Sequence, residues 1–172
     1  MKTFSLKIDS HNTKPKDVIG SKNIDFTKII AFDEQGRILT LITENGIGLP
    51  CGRVEGWDNR DAFDAAHREA WETANVTLGT LITLNIIETK SSSEETRRTL
   101  VLAARIARTD PMRRGQSSRI FLEPKEFIKY YNDDVEMHQH LTDMAVKSIP
   151  EFQPNCLEDI KKTFLLLDGG AK

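Results

Sequence analysis

Residues Leu49–Leu78 read LPCGRVEGWDNRDAFDAAHREAWETANVTL. A Gly-containing turn, Leu49-Pro50-Cys51-Gly52, runs into a polar loop and then into an amphipathic helix carrying Arg68, Glu69 and Glu72. At the helical period Glu69 and Glu72 (i, i+3) share one face with Thr73, while Phe63, Ala66, Ala70 and Ala74 form the opposite stripe. The pattern therefore predicts two carboxylates looking outward and small apolar residues looking inward. Such a face suits a hard divalent cation, since Mg²⁺ takes carboxylate and carbonyl oxygens together with waters and phosphates. A bare Glu-x-x-Glu is otherwise a common solvated face, so the loop in front of it carries the weight.

That loop and helix resemble the signature of the Nudix hydrolases, G-x5-E-x7-R-E-U-x-E-E-x-G-U with U aliphatic, over Gly52 to Val76. Leu49-Pro50-Cys51-Gly52 stands for L-P-G-G, Arg53-Val54-Glu55 for G-x-x-E, and Arg68-Glu69-Ala70-Trp71-Glu72-Thr73-Ala74-Asn75-Val76 for the helical half. The resemblance implies that the Gly52 carbonyl, Glu69 and Glu72 bind metal, Mg²⁺ or Mn²⁺. It also implies that Arg68 braces loop against helix and that Glu69 serves as ligand or base. The implied fold is a Nudix-type α/β/α sandwich with a mixed central sheet. The implied activity is metal-dependent hydrolysis of a nucleoside diphosphate linked to another moiety, a nucleotide-type small-molecule substrate.

The sequence departs from the signature at four places. Cys51 replaces the first Gly of the pair, where a turn normally profits from glycine. Asp58 stands at the first motif Glu, but nine residues rather than seven separate it from Arg68. Thr73 replaces the second Glu of the E-E pair, and a hydroxyl is a poorer Mg²⁺ ligand than a carboxylate. Asn75 replaces the last Gly, and Asn is the next best residue for a left-handed C-cap. Thr73 and the longer loop motivate a competing expectation, a Nudix-fold module that binds a nucleotide or regulates without turnover. A remote acid that makes good the missing ligand is sought among Glu94, Glu95, Asp133, Asp134 and Glu136.

Working outward, Asp61 is a good N-cap and Asp64 suits the positive helix end. Trp57 reads as a lid over the core or as a ring that stacks on a substrate base or sugar. Arg113 and Arg114 suit phosphate oxygens or a plain basic loop. Glu55 is grouped with these three as a candidate substrate contact. His67 lies beside the apolar stripe and reads as a boundary residue.

Upstream, Phe4, Leu6 and Ile8 alternate with polar residues, a period of two that suggests a short half-buried strand in an N-terminal extension over residues 1–22. TKIIAFDEQGRILTLIT predicts two strands around a turn at Asp33-Glu34-Gln35-Gly36. Downstream, Leu81–Ile87 and Thr99–Ile106 read as strands joined by a polar loop over Glu88–Arg98. A further strand at Ser118–Leu122 and a short helix at Glu123–Phe127 come next, followed by a long helix over Val135–Ile149. His138 and His140 point in different directions on that helix, which argues against a joint metal site. The Nudix domain is placed at residues 23–150. A last amphipathic helix is expected within residues 151–172, where Phe164-Leu165-Leu166-Leu167 needs cover from the domain or from a homodimer partner.

With 172 residues the chain supports one sizeable core. A net charge of -2 gives no electrostatic reason to expect nucleic-acid or membrane binding. Two cysteines, Cys51 and Cys156, without metal-ligand spacing fit a reducing cytoplasm. No apolar leader or membrane span is evident in the sequence.

Overall fold

Strands that alternate in sequence between two apolar faces dictate a layered molecule. Within Phe26–Phe32, Ile29 and Ala31 face one way while Ile30 and Phe32 face the other, and all four are buried. A strand hydrophobic on both faces must be covered on both. The computed structural model describes residues 4–6, 23–90, 95–113, 118–131 and 134–152.

Among the described residues the strands are β1 (Phe4–Leu6), β2 (Phe26–Phe32), β3 (Ile38–Thr43), β4 (Gly46–Gly48), β5 (Cys51–Arg53), β6 (Val76–Lys90), β7 (Thr96–Thr109) and β8 (Arg119–Leu122). The helices are α1 (Ala62–Ala74), α2 (Pro124–Tyr130) and α3 (Val135–Ser148). The sheet runs β1-β6-β7-β2-β3-β4, with β5 paired to β2 and β8 to β3. β2 and β7 are parallel and the other pairs antiparallel, so the sheet is mixed as expected.

α1 covers one face. Ala62, Ala66, Ala70 and Ala74 pack on Ile29, Ala31, Leu39, Leu41, Leu100, Leu102 and Ala104. α2 and α3 cover the other, where Phe127, Tyr131, Met137, Leu141 and Ala145 pack on Ile30, Phe32, Ile38, Val101 and Ala103. The alanine stripe has a consequence for the site. Without bulky side chains between helix and sheet, α1 lies close enough for the side chain of Glu69 to reach the sheet backbone.

Several elements differ from the sequence expectation. β2 and β3 pair only at Phe32 and Ile38, next to the turn where Gly36 has φ +79° and Asp33 Oδ1 accepts from Gln35 and Arg37 N–H. Beyond it the strands part, because β2 is claimed by β7 and β5 and β3 by β4 and β8. β6 and β7 are longer than their apolar cores, since cross-strand polar pairs such as Glu88 and Arg98, 2.9 Å apart, carry the ladder into the expected loop. β1 pairs with β6 from Phe4↔Thr89 to Leu6↔Ile87, which places part of the N-terminal extension in the sheet. The expected C-terminal helix, Arg114, Asp133 and Glu94 lie outside the described residues.

Candidate active site

β5 and α1 build the site. β5 brings Gly52 opposite Thr27 of β2. The loop that follows makes a 3₁₀ turn at Gly56–Asp58, in which Asp58 Oδ2 accepts the Glu55 N–H at 2.9 Å. Asn59 and Arg60 then both take left-handed conformations, φ 51° and 57°, before Asp61 caps α1 by accepting the Phe63 N–H at 2.7 Å. These two left-handed residues fold back the extra length of the loop. Asp58 consequently reaches Arg68 although nine residues intervene.

Arg68 is the hub. Nε donates to Asp58 Oδ1 at 2.8 Å, and Nη2 donates to Asp58 Oδ2 at 2.9 Å and to the Arg53 carbonyl at 2.8 Å. Nη1 donates to Glu69 Oε1 at 2.7 Å and to Glu72 Oε2 at 3.1 Å. Every N–H of the guanidinium is engaged. The pair of parallel bonds to Asp58 is the geometry that the planar fork favours. Three carboxylates thus surround one guanidinium, leaving local negative charge in excess.

Asp58 is 4% exposed, and its hydrogen bonds from Arg68 hold its carboxyl below the usual range, against the opposing effect of burial. Arg68 is shifted further toward its charged form, chiefly by the same bonds. Glu69 behaves oppositely. Burial pushes its carboxyl above the ordinary value, and the bond from Arg68 only partly offsets this. The expectation of two outward carboxylates therefore holds for exposed Glu72 but not for Glu69, which is 9% exposed and turned toward the sheet.

Glu69 packs against Gly52 so closely that a Cβ on Gly52 would stand 1.8 Å from Glu69 Cδ and Oε1 and 2.3 Å from Oε2. Only glycine leaves that space. Cys51 is exposed and sits in β5 with no positive φ, so the missing first glycine places no strain on the turn. Thr73 does not replace a carboxylate, because its Oγ1 donates to the Glu69 carbonyl at 2.6 Å. Asn75 takes the left-handed C-cap at φ 51°.

The other candidates are distributed around this centre. Glu55 lies beside Asp58 in the loop, and Trp57 is 74% exposed. Arg113 lies over the ring of Trp71 on α1, 4.6 Å from its centroid. Neighbouring residues hold the same segment to the end of α1. Asn75 Nδ2 donates to the Pro111 carbonyl, and Arg119 Nη1 donates to the carbonyls of Ala74 and Asn75. Among the remote acids, Asp134 caps α3 by accepting the Met137 N–H, while Glu95 and Glu136 are exposed. His138 is buried and His140 exposed, pointing apart as the spacing predicts. His67 is exposed.

The donor set at Gly52, Glu69 and Glu72 consists of hard oxygens, with a carboxylate lodged where a Cβ would otherwise be. It fits a cation that completes its shell with water and phosphate oxygens. Among the described residues no group of three or more acids, histidines or cysteines is placed to hold a metal ion. No described helix is long and apolar enough to cross a membrane.

No family model and no curated protein matches the chain. Solved structures do. The Bacillus subtilis pyrophosphohydrolase BsRppH superposes with a TM-score of 0.64 at 18% identity, over 88% of this chain and 92% of that one. The Nudix domain of Shewanella oneidensis NrtR, complexed with ADP ribose, gives a TM-score of 0.59 at 14% identity, over 80% and 94%. A C. elegans Ap4A hydrolase gives 0.54 at 18%, over 70% and 93%. The chain has the Nudix hydrolase fold.

Proposed function

We propose that the chain is a divalent-metal-dependent pyrophosphohydrolase acting on a nucleoside diphosphate linked to another moiety. The observation that carries this reading is the Arg68 hub. It ties Asp58 of the loop to Glu69 and Glu72 of the helix above Gly52, and three carboxylates against one guanidinium form a centre of excess negative charge.

Gly52 (through its carbonyl), Glu69 and Glu72 would hold Mg²⁺ or Mn²⁺. The ion would neutralise diphosphate charge and acidify a bound water. The chain's own residues divide the remaining work. Where Glu69 serves as base instead of ligand, it accepts a proton from the attacking water as the new P–O bond forms. The bridging P–O bond breaks, and the leaving group departs as a phosphate ester. Arg68 keeps loop and helix in register, which fixes Glu69 relative to Gly52. Glu72, its side chain 55% exposed, is the outward-facing carboxylate of the set. Glu55 and Trp57 line the loop beside the site and are assigned to the rest of the substrate. Arg113 is the weaker candidate, since its guanidinium stacks on Trp71.

A second reading, a nucleotide-binding module without turnover, is favoured by one observation. Thr73 contributes no carboxylate, and its hydroxyl is engaged by the Glu69 carbonyl.

The deciding experiment is phosphate release, with added phosphatase, from ADP-ribose, nucleotide sugars, dinucleoside polyphosphates and nucleoside triphosphates, with Mg²⁺ and with Mn²⁺. Turnover on one class that is lost in Glu72→Gln supports the enzyme and its metal set. Absence of turnover, in a protein that a nucleotide still stabilises against heat, supports the module.

A further inference from the structure

Thr27 is fully buried, at 0% exposure, and its Oγ1 has no hydrogen-bond partner among the described residues. A buried hydroxyl without a partner is destabilising, and valine fills the same volume without that cost. The hydroxyl therefore calls for a polar role, and its position supplies one. Thr27 stands directly opposite Gly52 in the antiparallel β2/β5 pair. Residues so paired put their side chains on the same face, with Cβ atoms about 4.5–5.5 Å apart. The Cβ position of Gly52 is occupied by the carboxylate of Glu69, 1.8 Å from its Cδ. Glu69 thus takes the place of Thr27's missing cross-strand neighbour, and since Thr27 Oγ1 makes no direct hydrogen bond to it, one bridging water is the link that would join the two groups.

We propose that Thr27 is a positioning residue for Glu69. Its hydroxyl donates through one water to the Glu69 carboxylate lying over Gly52. Arg68 Nη1 already holds Oε1 from the helix side at 2.7 Å. A second donor from the sheet side leaves the carboxylate one orientation, and so fixes which lone pair meets the attacking water. The catalytic meaning of this contact rests on the hydrolase reading above. The contact itself does not.

A high-resolution crystal structure of the full chain tests the contact. Thr27 Oγ1 and a Glu69 carboxylate oxygen are each expected within about 3.2 Å of one shared water, and the absence of such a water overturns the proposal. An Oγ1 donating to a carbonyl of its own strand overturns the proposal. Kinetics test the role. Thr27→Val is expected to lower kcat about tenfold with KM changed by less than about twofold, as loss of an orienting partner does. Thr27→Ser should keep wild-type kcat. A Thr27→Val enzyme with unchanged kcat, or a Thr27→Ser enzyme as impaired as Thr27→Val, overturns the proposal. Should the chain hydrolyse none of the panel, the hydrolase reading fails while the crystallographic test still decides the contact.

Discussion

Arg68 grips Asp58 by a two-bond fork, Nε to Oδ1 at 2.8 Å and Nη2 to Oδ2 at 2.9 Å, and this fork closes the β5–α1 loop onto the helix. Asp58 is 4% exposed, so removing its partner leaves a buried charge that only the Glu55 N–H still compensates. Arg68→Ala is expected to cost about 3–5 kcal/mol in urea unfolding. Arg68→Lys keeps the charge but loses the fork, and should fall between the two. A loss below about 1 kcal/mol in Arg68→Ala would place the fork among ordinary surface ion pairs.

Gly52 and Cys51 make opposite predictions although they are adjacent. A Cβ at 52 meets the Glu69 carboxylate at 1.8 Å, so Gly52→Ala must push Glu69 out of place. Turnover should fall about a hundredfold, the scale of an ångström-sized misplacement. Stability should fall by only about 1–3 kcal/mol. Cys51 has no positive φ, and Cys51→Gly should leave turnover within about twofold. Parallel assays of the two variants check this. Equal effects would mean that the glycine pair acts through loop flexibility and not through space for Glu69.

The contrast marks where the sequence was legible. The layers were readable because the apolar periods of β2, β7 and α1 are strong, and the ends of the motif were readable from Gly52 and from Arg68-Glu69. The inward turn of Glu69 was not, because helical period alone assigned it to the face of Glu72. What draws it in is the empty space at Gly52, a tertiary fact. The longer loop looked disruptive, yet left-handed Asn59 and Arg60 absorb it, conformations that no local pattern announced. Thr27 was invisible for the same reason. Its partner across the ladder is fixed only once β5 pairs with β2.

Acid should affect Asp58 and Glu69 in opposite senses. Asp58 is held below its ordinary value, so it adds stability that is present above the unfolded pKa and lost as pH falls through the folded one. Glu69 is raised by burial, so the folded state binds its proton more tightly than the unfolded chain does. Its contribution therefore declines as pH rises from the unfolded value, about 4.3, through the raised folded value. Without metal, the stability difference between wild type and Glu69→Gln should shift in favour of wild type as pH falls through that window. Thermal unfolding of both proteins in chelator across a pH series checks it. A constant difference would mean that the proton affinities of Glu69 in the folded and unfolded states are equal.

Thr73 decides how many carboxylates the helix can offer. Its hydroxyl is bound to the Glu69 carbonyl at 2.6 Å, one turn back, so the native side chain is engaged with the helix backbone. A longer acidic side chain at 73 would extend from the helix face next to exposed Glu72, one turn on from Glu69. Without metal, Thr73→Glu adds like charge to that face and should lower the melting temperature in chelator. With Mn²⁺ the added ligand should raise affinity about tenfold and reverse the loss, because a cation that binds only the folded state stabilises it. Electron paramagnetic titration of free Mn²⁺ and melting curves with and without the ion read the two effects separately. A lowered melting temperature with unchanged Mn²⁺ affinity would mean that a carboxylate at 73 repels Glu69 and Glu72 without sharing their cation, and that the site works with the ligands it has.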